Sequence, residues 1–274
     1  MPTRRASLFA AAILLCGCPI AQPPARESGA ADAFAGGALV DLTHPFDDET
    51  IYWPTGERFT LTAEARGLQP GGYYYEAHSF RAAEHGGTHL DAPIHFAEHR
   101  WTADAIPLDR LIGPGIVVDA TAGAAATRDY LVSIADLSAW EREHGPIPAG
   151  AIVLLRTGHG AFWPDASSYL GTAERGPDAV AKLHFPGLDP AAARWLVALR
   201  RIHAIGLDTP SIDAGPSTTF DAHRILLDAN IPVFENVARL EQLPAQGFTI
   251  VAMPMKIRGG SGGPLRIVAI VPRS

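Results

Sequence analysis

The chain has 274 residues, a formal net charge of −7, 47% hydrophobic and 19% charged residues, two cysteines and eleven histidines. The acidic balance excludes binding of nucleic acid through a broad basic surface, the apolar content excludes a disordered chain, and two cysteines so close together exclude a disulfide scaffold. The length fits one large α/β domain, which buries roughly three quarters of its unfolded surface and can enclose a polar site.

Residues 1–17 read as a secretory signal. Arg4 and Arg5 form a basic start, residues 8–15 are a short apolar run, and small residues follow. The run is too short to span a bilayer as a stable helix. Leu15-Cys16-Gly17-Cys18 is similar to a bacterial lipoprotein processing box, with Cys18 as a lipidated first residue; simple cleavage is the equal alternative. Pro19, Pro23, Pro24 and the Gly/Ala-rich stretch to Gly37 read as a flexible tether over 18–37, leaving 38–274 as the folded domain. The expectation is an exported protein, periplasmic or anchored to a membrane through Cys18. Removal of 1–17 takes away two arginines and no acid, so the mature charge is −9.

Residues 38–43 read as a first strand. Residues 59–65 and 73–83 show strand-like alternation, with Gly71-Gly72 as the turn between them and Tyr73, Tyr74 and Tyr75 as packing residues. Short apolar runs at 115–121, 151–157 and 202–208 are of the kind covered on both faces of a sheet. Ser133 with Asp136 forms a capping box for one helix. Asp189 followed by Pro190 opens a second, whose stripe carries Trp195, Leu196 and Leu199. A third is expected over 217–229, and closing strands over 231–236, 248–252 and 265–271. The pattern is a mixed α/β domain whose unusual residues sit in loops.

Five of the eleven histidines (His78, His85, His89, His95 and His99) fall within 22 residues. In the segment His85-Gly-Gly-Thr-His89-Leu-Asp91-Ala-Pro-Ile-His95, the glycines and Pro93 argue against a helix. In an extended chain His89 and Asp91 point to the same side. The glycines let the backbone bring His85 close, and Pro93 can return His95 to the same centre. Two or three imidazoles with a carboxylate suit Zn²⁺, Mn²⁺ or Fe²⁺ and leave positions free for water and substrate. A further ligand is expected from elsewhere in the chain, with His223 and Glu235 as the candidates. Glu235 lies in an apolar run (IPVFEN), where a charge is costly unless paired or metal-bound; a surface ion pair is the plain alternative.

HGGTHLDAPIHF resembles the signature of the metal-dependent cyclase family, which includes bacterial kynurenine formamidases and isatin hydrolases. The supporting pieces DLTHPF at 41–46, Trp53-Pro54, HFPGL at 184–188, GLDTPSID at 206–213, AHRILLDANIPVFEN at 222–236 and MPMKIRGGSGGPLRIVAIV at 253–271 lie in order along the chain, so the likeness covers roughly 38–272. The resemblance implies a single swivelling β/β/α domain that forms dimers or higher oligomers. It implies Zn or Mn, as one or two ions, on His85, His89, Asp91, His223 and Glu235, with Asp91 and Glu235 bridging and His223 on the second ion. It implies His95 as the proton-transfer residue and Trp53 as a substrate contact.

The expected activity is hydrolysis of a small aryl amide, most like an arylformamidase acting on N-formylkynurenine. Water activated at the metal would attack the carbonyl, and His95 would pass a proton to the leaving nitrogen. Ring opening of the isatin type is the alternative: the long spacing between the histidine loop and His223 and the PMKI…GGP ending fit that branch, whereas Glu235 and Trp53 fit the formamidases. A noncatalytic metal-binding lipoprotein is the alternative of another class.

Gly259-Gly-Ser261-Gly-Gly263 formally matches G-x-S-x-G, but a strand follows it and no histidine or acid comes after Ser261, so it reads as a flexible loop between the last two strands. Asp208-Thr-Pro-Ser-Ile-Asp213 reads either as support for the metal ligands or as a capped turn. His44, His78, His99, His144, His159, His184 and His203 read as structural or exposed.

Overall fold

The computed structural model describes residues 36–273; the secretory signal, Cys18 and all but the end of the tether lie outside the described residues. Among the described residues, no helix is long and apolar enough to cross a membrane.

Twelve strands are described. They are β1 (Ala38–Asp41), β2 (Thr60–Leu68), β3 (Tyr74–Arg81), β4 (His89–Asp91), β5 (Ile112–Asp119), β6 (Leu131–Val132), β7 (Ile152–Arg156), β8 (Gly187–Leu188), β9 (Ala204–Leu207), β10 (Val233–Glu235), β11 (Gln246–Pro254) and β12 (Gly262–Val271). The helices that matter for packing are α1 (Thr121–Ala126), α2 (Ile134–His144), α3 (Ala166–Leu170), α4 (Pro177–Val180), α5 (Pro190–Leu199) and α6 (Asp221–Asp228).

Eight strands form one mixed sheet in the order β1-β12-β11-β5-β7-β9-β10-β4, and β4 pairs a second time, with β12. That second pairing closes the ladder into a ring. The segment β5-β7-β9-β10 is parallel, and the remaining pairs are antiparallel. β12 manages two partners on one side because it is long: Gly262–Pro264 face β4, while Val268–Val271 face β1.

The apolar runs of β5, β7 and β9 alternate between two cores. Ile116, Val118, Val153, Leu155, Ile205 and Leu207 face outward, where Leu137, Leu196 and Leu226 of α2, α5 and α6 cover them. Val117, Ile152, Leu154 and Ala204 face the inside of the ring, with Phe234, Ile250 and Ile267. Strands buried on both faces carry no polar alternation, which is why these segments read as continuous apolar runs.

The capping box at Ser133 and the Asp189-Pro190 helix start form as expected: Asp136 accepts from the Ser133 amide at 2.7 Å, and Asp189 accepts from the Ala191 amide at 2.6 Å. The third helix is shorter than the 217–229 expected. Ser217 instead makes a turn, its hydroxyl accepting from the Phe220 amide at 3.2 Å, and Phe220 sits in the left-handed region at φ 51°. Asp213, outside the segment, takes the first free helix amides, those of Ala222 and His223. Two other readings are corrected. Tyr73, Tyr74 and Tyr75 are 62%, 57% and 50% exposed, because β2 and β3 pair with each other as a separate hairpin. Gly262 and Gly263 are strand residues rather than loop residues, since β4 extends the pairing of β12.

Two structural histidines give the fold a pH dependence. His44 stacks on Trp163 with ring centroids 4.2 Å apart, and burial, with Arg239, pushes its pKa from 6.5 down to about 4. His159 donates through Nε2 to the Tyr169 carbonyl at 2.6 Å, and burial pushes it down to about 4 as well. Both are neutral when folded, and unfolding lets them take up protons below 6.5. Stability is therefore full above that value and falls as pH drops from 6.5 towards 4. Thermal melts across this window should show a steadily falling Tm, and His159→Gln should flatten the slope.

Candidate metal centre

The centre begins with β4. Its three residues are buried and held on both sides, opposite β10 (Glu235↔His89, Val233↔Asp91) and opposite β12 (Pro264↔His89, Gly262↔Asp91). Alternation sends Leu90 into the inner core with Phe234, and sends His89 and Asp91 to the other side. Directly opposed residues share a face, so Glu235 joins His89 and Asp91. Three donors are thus fixed by register alone.

Gly87, at φ 57°, turns the chain ahead of β4 and aims its carbonyl inward. That carbonyl accepts from His89 Nδ1 at 3.0 Å and from Asn236 Nδ2 at 2.6 Å. The first of these bonds leaves Nε2 of His89 facing Asp91 Oδ1 at 3.2 Å and Glu235 Oε2 at 3.4 Å. His85 approaches from before the turn, with Nδ1 2.6 Å from Asp91 Oδ1. His223 arrives on α6, with Nε2 3.0 Å from Asp91 Oδ2 and 3.2 Å from Glu235 Oε1. Asp213 accepts from its Nδ1 at 2.7 Å and thereby fixes which nitrogen faces the centre. Asp213 therefore both caps a helix and orients a ligand. Glu235 is steadied by the Ile212 amide at 2.7 Å.

All five sequence-predicted ligands converge. They form two donor triads, His85/His89/Asp91 and Asp91/His223/Glu235, each with ligand atoms within 4.8 Å of one another and Asp91 common to both. Asp91 is 1% exposed and Glu235 4%. Two carboxylates so buried need protons or a cation beside them. Burial and the neighbouring Asp91 raise the Glu235 pKa. Burial would also raise Asp91, but His85, His223 and His89 hold it well below the usual carboxylate range. Burial would lower His223, but Asp213, Asp91 and Glu235 outweigh it and raise its pKa. The field of the site thus favours positive charge at His89 and His223, and a divalent cation on the same nitrogens and oxygens fits it.

His95 follows on the short 3-10 turn Pro93–His95, its ring stacked on His85 at 3.8 Å. Burial, only partly offset by Asp91, pushes its pKa down to about 4, so its ring is neutral at pH 7. Above the donors opens a cavity of about 330 Å³, walled by Trp53, Tyr52, Phe96, Phe220 and Ile51. Trp53 stands on that wall, edge-on to Phe185 at 6.4 Å. Tyr52, Phe220 and Asn236 also line the cavity and carry no sequence signal of their own; only the neighbouring motifs (Trp53-Pro54, His223, Glu235) mark their positions. Asn236 also accepts from the Tyr169 hydroxyl at 2.8 Å, a tie between distant segments that no local pattern carries.

A polar floor of imidazoles and carboxylates under an aromatic wall defines a metal-dependent hydrolase that acts on small carbonyl compounds. The comparisons with known proteins agree. The Cyclase family model matches residues 40–214, and this chain belongs to the cyclase family. An isatin hydrolase from Roseibium aggregatum is 35% identical over 199 residues, covering 70% of this chain and 73% of that protein. A kynurenine formamidase from Salinibacter ruber is 32% identical over 231 residues, covering 84% of this chain and 96% of its own. Among solved structures, isatin hydrolase A from Ralstonia solanacearum superposes with a TM-score of 0.76 at 33% identity, over 85% of this chain and 92% of that one. An isatin hydrolase bound to the product analogue thioisatinate gives 0.77 at 30% identity, over 88% and 94%.

Asp213→Ala would leave two helix amides and His223 Nδ1 without their acceptor. It should lower Tm by several degrees and weaken divalent-metal binding about 10–100-fold, read by calorimetric titration of the metal-free protein.

Proposed function

We propose that the protein hydrolyses the C–N bond of a small aryl amide, with N-formylkynurenine, cleaved to kynurenine and formate, as the primary substrate. The observation that carries the reading is the pair of donor triads sharing Asp91 at the base of an aromatic cavity, with His95 alongside. The likeness to a kynurenine formamidase over 96% of that enzyme supports the substrate. Zn²⁺ or Mn²⁺, as one or two ions, suits the mixed imidazole and carboxylate set, with His85, His89 and Asp91 holding one position and His223 and Glu235 sharing Asp91 at the other. When bound, such an ion supplies Lewis acidity to a carbonyl oxygen and to water.

The side chains do the rest. Trp53, Tyr52 and Phe96 take the aryl ring and keep water off that side of the substrate. The carboxylates of Asp91 and Glu235 are held by imidazoles and by a backbone amide, so they need not reorganise as charge develops. His95, neutral and beside the donors, takes the proton released by the attacking water and returns it to the departing nitrogen. His95→Ala should lower kcat by about 10²–10⁴-fold while metal content stays the same; equal loss of metal would make His95 a ligand instead.

The second reading is lactam opening of isatin to isatinate, favoured by the isatin hydrolase structures at 30–33% identity. Turnover of N-formylkynurenine and of isatin by zinc- and manganese-loaded enzyme separates the two. The noncatalytic carrier has no support from the isatin hydrolase and the kynurenine formamidase compared above, both of which are named as enzymes.

We further propose that the protein is exported, with or without lipid on Cys18, and that it works as a homodimer or larger oligomer. The β2–β3 hairpin supports association: Leu61, Phe80 and Tyr74 are more than half exposed, at 59%, 54% and 57%, and a lone two-stranded ribbon is marginal in water. Sedimentation should show at least two chains per particle, and Leu61→Glu with Phe80→Glu should shift it toward monomer.

A further inference from the structure

The Gly259–Gly263 segment lies against the metal centre, and its serine has a definite hydrogen-bond order. Glu84 Oε2 accepts from the Ser261 amide at 2.9 Å and from the Ser261 hydroxyl at 2.6 Å. A serine hydroxyl has one proton, and a carboxylate has none to give. Ser261 Oγ, having given its proton to Glu84, can only accept from its other neighbour. That neighbour is His85 Nε2, at 2.9 Å. Nε2 must therefore carry a hydrogen, and in a neutral imidazole the lone pair then falls on Nδ1. Nδ1 is the nitrogen that faces Asp91 Oδ1, at 2.6 Å. Two lone pairs at that distance repel unless a cation or proton lies beside them.

We propose that Ser261 and Glu84 are positioning residues of the metal centre: the Glu84–Ser261 pair fixes the His85 tautomer and presents Nδ1 as the ligand atom. The proposal rests on the reading of His85 as a metal ligand. The surrounding glycines serve the same contact. A Cβ on Gly262 would come within 2.6 Å of His85 Cε1 and 2.5 Å of the Leu90 carbonyl, and one on Gly260 within 2.8 Å of Glu84 Oε1. The segment is strapped down as well, since the Ser261 carbonyl accepts from the Ala92 amide at 2.8 Å, just past β4. The row Asp91–His85–Ser261 has the outline of a hydrolytic triad, but it cannot act as one. The serine proton goes to Glu84, away from the imidazole, so the hydroxyl is not activated for attack.

The test uses full-length mature protein stripped of metal and titrated calorimetrically with Mn²⁺ and Zn²⁺. Ser261→Ala and Glu84→Ala should each weaken binding about 10–100-fold, and Ser261→Thr, which keeps the hydroxyl, should restore it to within a few-fold. Nitrogen-15 NMR of the zinc-loaded wild type should show His85 protonated on Nε2, a signature that a merely structural serine would not set. Wild-type affinity in both Ser261→Ala and Glu84→Ala overturns the proposal, as does a zinc-loaded His85 protonated on Nδ1. If one alanine variant fails to fold, the other variant and the NMR tautomer decide. A wild type that binds neither metal overturns the metal-centre reading itself and this proposal with it.

Discussion

The structure turns on Asp91, a carboxylate almost wholly out of water between imidazoles and facing a second buried carboxylate. Such a group is stable only if its surroundings supply positive charge and hydrogen bonds in fixed places. The fold meets that demand with backbone. β4 is gripped by β10 and β12, so Asp91 can move only if the ring opens. Each donor around it is then held by a partner of its own: His223 by Asp213, His89 by the Gly87 carbonyl, and Glu235 by the Ile212 amide.

The cavity divides its work by polarity. The floor is charged and rigid, and the wall is aromatic and comes largely from one loop, which carries Ile51, Tyr52 and Trp53. That loop is pinned from far away in sequence. Arg175 donates to the carbonyls of Trp53, at 3.1 Å, and of Gly56, and the Gly176 amide donates to the Pro54 carbonyl at 3.0 Å. The guanidinium carries five N–H donors in all, which suits an arginine to holding several carbonyls at once. The wall is thus held partly by contacts outside the donor set, although Phe96, stacked on His223 at 4.6 Å, ties it to the floor.

Much of this was legible in the sequence because its causes are local. The double-sided apolar runs gave β5, β7 and β9, and Ser133 with Asp136 and Asp189 with Pro190 gave two helix starts. The histidine segment announced its chemistry through residue type, and alternation placed His89 and Asp91 on one side. What was not legible depended on partners distant in the chain. β4 is three residues long and has no strand signal of its own; it is a strand because two others flank it. α6 starts late because its cap, Asp213, lies outside the segment. The tyrosines at 73–75 have good strand composition, but composition does not say which face another layer covers. Ser261 looked like slack between strands, since the contact that gives it meaning joins residues 176 positions apart.

The ring also governs when the site can exist. Its donors are spread from His85 to Glu235, and β12, the last strand described, must dock on β4 before the ring closes. Contacts so remote in sequence form slowly, because a long loop must be closed before any bond rewards it. A chain still missing β12 would hold the histidine segment without its second flank. The histidine segment thus gains its second flank only from a strand made about 170 residues after it, so the frame that holds Asp91 is complete only when nearly the whole described chain has folded.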